Sequence, residues 1–307
     1  MTTIINTSNG KAVRAFLKYI HIPKPNSHKG QNGKALVIGG SSLFHSASIW
    51  AAEIASHLVD MVHYSSTQEN NEIFLSLKKK FRNGMVVRQE ELLEYVKEDD
   101  VILVGPGMMR GKITNDKLQM TNFKDILKTQ DEPTYTYHLT KYLLEHFPDK
   151  KFVIDAGALQ VIKPEWLLRR KVKTIITPHQ GEFKKLFNID LSDKNDQQKS
   201  EIVAEYAKKF DCLILLKAIK DFISDGAEGA VVEGGNSGLT KGGTGDILAG
   251  LTASFYAKSG PFESAILSSF LLKRTADELF LKKGYWYNIS DIIESLPSIL
   301  NTIIFKR

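Results

Sequence analysis

The strongest constraint in this chain is an alternation. Short apolar runs, each closed by a glycine or polar cluster, take turns with segments of helical periodicity. Lys34–Ile38 ends at Gly39-Gly40-Ser41, and Asp60–Tyr64 ends at Ser65-Ser66. Val101–Val104 ends at Gly105-Pro106-Gly107, and Phe152–Ile154 at Asp155-Ala156-Gly157. Lys173–Ile176 ends at Thr177-Pro178, and Cys212–Leu216 at Lys217. These runs are apolar on both faces, as strands covered by helices on both sides must be. Between them lie the helical patterns Ile49–Leu58, Glu90–Val96, Thr140–Phe147, Phe183–Phe187 and Ile202–Phe210. The pattern predicts an α/β chain with three layers, helices flanking a mostly parallel central sheet. The tail differs. Phe222–Ser224 and Ala230–Glu233 read as a hairpin, and Asp246–Ala257, Phe262–Phe280 and Ser290–Leu300 as helices. No repeat or linker divides the chain, so residues 1–307 are expected to form one domain.

Composition excludes several alternatives. Hydrophobic residues make up 42% and charged residues 25%, too apolar for a disordered chain. The single cysteine, Cys212, rules out an intrachain disulfide and a cysteine-rich zinc site, and suits a reducing cytoplasm. The N-terminus lacks the apolar stretch of a signal peptide. The longest aliphatic runs are far short of the roughly 20 residues a membrane helix needs. The 41 Lys and Arg outnumber 35 Asp and Glu, a net charge of +6. The densest patch, Lys78–Arg82, reads as a solvated face, and no RNA- or DNA-binding motif accompanies it. The excess instead suits anionic small molecules. The longest irregular stretch, Met108–Pro133, has the character of a lid, an insertion or a disordered loop.

In an open parallel sheet, ligands bind beyond the carboxyl ends of the strands, where every one of these glycine clusters falls. Gly242-Gly243-Thr244-Gly245-Asp246 opens the Asp246–Ala257 helix. Glycines at a helix start let backbone amides reach an anion, and the helix dipole assists. An ordinary cap by Thr244 or Asp246 is the plainer reading, but it does not need three glycines. Asp246 suits a base for a substrate hydroxyl, with the helix end helping to keep it ionised. The glycines are not followed by Gly-Lys-Ser/Thr, so this is no Walker A loop.

Thr177-Pro178-His179-Gln180-Gly181-Glu182 has a structural reading, with Thr177 as cap, Pro178 as first helical residue and Gln180 as capping partner. That reading leaves His179 and Glu182 unused, so for His179 structural and functional readings both stand. Asp155 is either a turn former or a site carboxylate. Lys217 either contacts phosphate or snorkels from the sheet end.

In order along the chain, these pieces resemble the ADP/ATP-dependent NAD(P)H-hydrate dehydratases, which have a ribokinase-like fold. The matching pieces are His28-Lys29-Gly30 with Gly33; Val37–Ser41 through Ala47; Gly105-Pro106-Gly107; Asp155-Ala156 with Ala158-Leu159; Thr177-Pro178-His179 with Gly181-Glu182; and Gly235-Asn236 through Asp246. The resemblance implies repair of hydrated NADH and NADPH. ATP or ADP phosphorylates the hydrate hydroxyl, and phosphate is then eliminated. It implies Asp246 as the base and Gly242, Gly243, Thr244 and Gly245 as the anion hole. It places Ala47, Gly107, His179 and Asp246 on the hydrated nucleotide. Lys217, Ala218, Ile219, Lys220, Asp221 and Gly245 fall near the adenine nucleotide, with Asp155, Glu182 and Asn236 in support. Mg²⁺ would come with the nucleotide rather than on protein ligands. A homo-oligomer is expected, and the family's frequent epimerase partner domain has no room in the 27 residues before His28.

The chain departs from the family pattern at Ser46, where Gly is usual, and at Met108-Met109 after Gly107. Further departures are Gly157 in place of an Asp, Gln180 in place of Pro, Ala218 in place of Gly, and Lys241 where a small residue is usual. The stretch from Gly107 to Asp155 is also long. These departures lie mainly on the substrate side, so two alternatives stand beside the dehydratase. One is a kinase of the same fold acting on a sugar-like or vitamin-precursor hydroxyl. The other is a nucleotide sensor without turnover.

Overall fold

The computed structural model describes residues 2–9, 11–111, 113, 120, 122–168 and 170–305. Ten strands join one sheet. They are β1 (Thr2–Asn6), β2 (Lys34–Ile38), β3 (Met61–Ser65), β4 (Gly84–Val86), β5 (Val101–Val104), β6 (Lys151–Ile154), β7 (Ile175–Ile176), β8 (Leu213–Leu216), β9 (Asp221–Ser224) and β10 (Gly229–Glu233). The helices are α1 (Lys11–Leu17), α2 (Ser46–Ala55), α3 (Gln68–Ser76), α4 (Leu92–Glu98), α5 (Phe123–Leu127), α6 (Glu132–His146), α7 (Ala156–Leu159), α8 (Gln180–Phe187), α9 (Asp196–Lys209), α10 (Thr244–Lys258), α11 (Pro261–Lys283) and α12 (Ile289–Phe305).

The strand order is β1-β10-β9-β8-β7-β6-β5-β2-β3-β4, and only β9 runs against the rest. Alternate side chains of each strand feed two cores. On β2, Ala35 and Val37 join α2, α10, α11 and α12 on one face. Leu36 and Ile38 join α4, α6, α8 and α9 on the other. This is the expected three-layer α/β/α arrangement, and the Phe222 and Ala230 segments pair antiparallel as expected.

Three features lay outside the expectation. Strand β1 is mostly exposed and earns its conformation by pairing parallel to β10. The three-residue β4 edges the other side beyond β3. The Met108–Pro133 stretch is not wholly irregular. Asn122 caps α5, and Asp131 caps α6, where Pro133 sits in the first turn. Residues 112, 114–119 and 121 of that stretch lie outside the described residues.

Candidate active site

The winding of the sheet reverses between β2 and β5, which are adjacent although β3 and β4 intervene in sequence. At such a switch point the two following loops part and leave a crevice. Here the Gly40 amide donates to the Pro106 carbonyl at 2.8 Å, fixing one wall. Gly107 has φ +71°, and a Cβ there would stand 2.7 Å from the Phe44 carbonyl oxygen and 3.1 Å from the Ala47 Cβ. The fold thus joins Gly107 and Ala47, as the resemblance requires. The neighbouring departures are coupled. A Cβ on Gly157 would lie 2.0 Å from the Met108 carbonyl oxygen, so the path of Met108 excludes any larger residue at 157.

Helix α10 starts beside this crevice. Its cap position is Gly243 at φ +102°, with no side-chain cap. The plainer alternative, a cap by Thr244 or Asp246, is not what the chain adopts. The Thr244 hydroxyl turns back to the Lys241 carbonyl at 2.9 Å, and the Asp246 side chain lies within the first turn. The Thr244 amide also donates to the Lys241 carbonyl, so it is the glycine amides on either side that face outward for an acceptor. Gly243 also needs its missing Cβ, which would stand 2.6 Å from the Trp50 ring and 2.8 Å from Ile289. Trp50 is a wall that no motif signalled.

The charge centre is assembled from four separate segments. Lys217 Nζ lies 2.7 Å from Asp155 Oδ1 and 4.0 Å from Glu182 Oε2. The Thr177 hydroxyl donates to the same Asp155 oxygen at 2.7 Å, and Gln160 donates to Glu182 at 3.1 Å. Asp155 precedes α7 without capping it, and its carboxylate faces Lys217 and Thr177 instead of its own turn. Lys217 does not snorkel outward. Burial opposes its charge, but Asp155, Glu182 and Asp246 outweigh burial and raise its proton affinity. Asp246 is the outlier. Burial, then the neighbouring Asp155, push its carboxyl up to about 7, against the pull of Lys217. The helix start favours the ionised form, and burial together with Asp155 outweighs that pull.

The 177–182 motif is also corrected. The cap of α8 is His179, whose Nδ1 accepts from the Gly181 and Glu182 amides at 3.0 and 3.3 Å. Glu182 returns a carboxylate oxygen to the His179 amide at 2.9 Å. Lys217 N donates to the Pro178 carbonyl at 2.8 Å, so the chain stays extended through His179 beside β8. The helix cannot begin at Pro178, and Thr177 is released to Asp155. His179 is exposed on the site side while it caps, so its two readings are compatible.

Beside the charge centre opens a cleft of about 370 Å³, lined by Lys217, Ala218, Thr240, Thr244, Gly245 and Leu272 among others. The turn after β8 forms one lip. Asp221 anchors it by accepting from the Ala218 amide at 3.1 Å and the Ser269 hydroxyl at 2.6 Å. Lys273, buried on α11, donates to the Ile219 carbonyl at 2.8 Å. Little in the sequence signals it, because Lys273 stands beside Arg274 at the end of the uncharged run Ala265–Leu272. Lys220 instead pairs with Asp196 and Glu233 at 2.8 and 2.9 Å, and the Ile219 side chain is exposed. Asn236 accepts from the Gly238 amide and the Tyr287 hydroxyl, holding the 3-10 turn Ser237–Thr240. Among the described residues, no group of three or more His, Cys, Asp or Glu side chains is placed to hold a metal ion. No described helix is long and apolar enough to cross a membrane.

Comparison with known proteins agrees with this geometry. The chain is 34% identical over 289 residues to the bifunctional NAD(P)H-hydrate repair enzyme Nnr of Methanocaldococcus jannaschii, covering 92% of this chain and 51% of that protein. It spans about half the length of the bifunctional relatives it matches. It is 30% identical over 292 residues to the ADP-dependent (S)-NAD(P)H-hydrate dehydratase of Nitrosopumilus maritimus, covering 92% of this chain and 93% of that one. The crystal structure of the ADP/ATP-dependent NAD(P)H-hydrate dehydratase from Bacillus subtilis, co-crystallised with ATP/Mg²⁺, superposes with a TM-score of 0.75 at 19% identity, covering 97% of this chain and 99% of that one. The fold is ribokinase-like. The model of the NAD(P)H-hydrate dehydratase family matches residues 35–298, a span holding both walls of the crevice, the charge centre and the start of α10, and this chain belongs to that family.

Proposed function

We propose that the chain catalyses ADP- or ATP-dependent dehydration of hydrated NADH and NADPH. One observation carries the reading: an uncapped, glycine-built helix start whose first turn holds a carboxyl poised near neutrality. A base works best when its proton affinity lies near the working pH. Asp246 takes the proton of the hydrate hydroxyl as that oxygen receives the terminal phosphoryl group of the nucleotide. The Gly242, Gly243 and Gly245 amides face the charge that develops on the moving group, while the Thr244 amide is held by the Lys241 carbonyl. The C–O bond then breaks and phosphate leaves with that oxygen. Loss of a proton from the adjacent carbon restores the ring double bond.

Lys217 supplies positive charge beside the first turn of α10, where a Cβ on Gly245 would stand 3.4 Å from its ammonium. Ala47 and Gly107 border the hydrate side, the 370 Å³ cleft takes the adenine nucleotide, and His179, which lines that cleft, is assigned to the place where the two ligands meet. Lys220 and Ile219 contribute through the backbone of the turn rather than through their side chains. Mg²⁺ fits as a companion of the nucleotide phosphates and water, because the carboxylates here are committed to Lys217 and Thr177. When bound it neutralises phosphate charge. A homo-oligomer in the cytoplasm completes the reading, supported by the family likeness and the buried thiol of Cys212.

The test is direct. Purified protein with Mg²⁺ and ATP or ADP should convert hydrated NADH to NADH, seen as returning nicotinamide absorbance with release of inorganic phosphate. Asp246→Ala should abolish this while nucleotide still binds. Undiminished turnover in that variant overturns the role of Asp246. A stable phosphorylated product in place of phosphate release makes the chain a kinase instead.

A further inference from the structure

Between β10 and α10 the chain runs through Asn236, the turn Ser237–Thr240, Lys241 and the pair Gly242-Gly243. Most of this path is pinned from outside. A Cβ on Gly238 would fall 2.3 Å from the Tyr287 hydroxyl oxygen, so the backbone lies flat against that ring. Tyr287 is buried and donates to Asn236 Oδ1 at 2.8 Å. Asn236 in turn donates to the Ala276 carbonyl at 2.9 Å. Gly243 is wedged between Trp50 and Ile289 at the other end. Gly242 differs: nothing lies within 4 Å of where its Cβ would stand. It also lacks a positive φ, so neither packing nor a special backbone conformation holds it, and it is the point at which this path can hinge. It sits in the loop whose amides must be in place before an anion arrives.

Lys241 is what restrains that hinge. Its ammonium donates to the main-chain carbonyls of Tyr285 and Tyr287, the latter at 2.7 Å. The same ammonium lies 4.9 Å from the centroid of the Tyr287 ring. Its own carbonyl accepts from both the amide and the hydroxyl of Thr244. One residue therefore ties the first turn of α10 to the corner between α11 and α12.

We propose that Lys241 is a positioning residue for phosphoryl transfer, strapping the Gly242–Gly245 loop to the Tyr285–Tyr287 corner in its anion-receiving shape. The proposal rests on the phosphoryl-transfer reading above. Two carbonyls and a ring already occupy the ammonium, so it acts through the loop rather than on phosphate. Donors held in place before reaction act on the charge that develops during transfer, and little on ground-state binding.

The experiment measures binding of MgADP, the product when ATP is the donor, and of MgAMP, the product when ADP is the donor, by calorimetry, each alone and with aluminium fluoride as a mimic of the moving phosphoryl group; the responsive pair is carried through the variants. Lys241→Met keeps the stem and removes the donors, whereas Lys241→Arg keeps the donors. MgADP affinity should stay within about twofold in both variants, as expected when ground-state binding is untouched. The tightening by fluoride should fall about tenfold or more in Lys241→Met, and return to within about threefold of the native value in Lys241→Arg. In turnover, kcat should fall in step while the KM for nucleotide holds. Lys241→Gln, which has no charge and a shorter reach, takes the place of Lys241→Met if that variant does not fold.

Weakened MgADP binding with intact tightening would make Lys241 a phosphate ligand and overturn the proposal. A Met variant indistinguishable from native protein would overturn it too. If native protein binds MgADP and MgAMP and fluoride tightens neither, the phosphoryl-transfer reading fails first and takes the proposal with it.

Discussion

Replacing Asp246 by asparagine should abolish turnover and, at alkaline pH, make the protein more stable. In the folded chain this carboxyl is pushed from 3.8 up to about 7, by burial first and by Asp155 second. Asparagine keeps the shape and removes the charge. Each pH unit between those values is worth about 1.4 kcal/mol, so ionising the folded carboxyl costs at most ~4 kcal/mol more than ionising the unfolded one. The side chain is only half-buried, and water screens part of that, leaving about 2 kcal/mol. The sign follows from proton binding. The folded value lies above the unfolded one, so the native state holds more protons between them. The stability contributed by the protonated form is fully present below the unfolded value of 3.8 and is lost as pH rises through about 7.

The asparagine variant does not suffer that loss. It should melt about 4 °C above native protein at roughly pH 8 and level with it near pH 4. Thermal unfolding of both proteins at the two pH values measures the difference, and hydrate turnover measures the chemistry. Native kcat/KM should show its acid limb near about 7 rather than in the ordinary carboxylate range. An asparagine variant that melts lower at alkaline pH, or higher by the same amount at both, would refute the argument.

Other perturbations test other joints of the site. Lys217→Met leaves Asp155 and Glu182 buried without their counter-charge. It should cost about 3–5 kcal/mol in denaturant unfolding and move the acid limb of activity further up. His179→Asn keeps an acceptor at the cap of α8 and removes the imidazole. Stability should match native protein, whereas His179→Ala should lose about 1 kcal/mol. A raised KM for the hydrate in both variants would separate binding from capping. Gly157→Asp restores the residue usual in the family, but its Cβ would meet the Met108 carbonyl at 2.0 Å. Chemical denaturation should show a loss of about 2 kcal/mol or more from the forced shift of the Gly105–Met108 turn.

The fold was largely legible in the chain, and so was one end of the site. Apolar runs such as Lys34–Ile38 and Val101–Val104 have the length and two-faced burial of inner strands, and they fold with those bounds. The Gly242–Asp246 block announced an open helix start, because local periodicity and missing side chains are written in neighbouring residues. Edge strands were harder. The Thr2–Asn6 strand buries little of its own surface, so its pattern is faint until β10 offers hydrogen bonds.

Tertiary structure alone settled which residue caps α8. The pairing of Pro178 with Lys217 comes from an adjacent strand, and it keeps the chain extended one residue longer than the local signals imply. It also settled the protonation of Asp246, which depends on Asp155, Glu182 and Lys217 arriving from three other elements. It brought the Lys241 ammonium to the Tyr285 and Tyr287 carbonyls, more than forty residues away in sequence. Caps and periodicities act between near neighbours in sequence and can be read there. Charge coupling in a half-buried site depends on distance through a medium of low dielectric, and only the fold sets those distances.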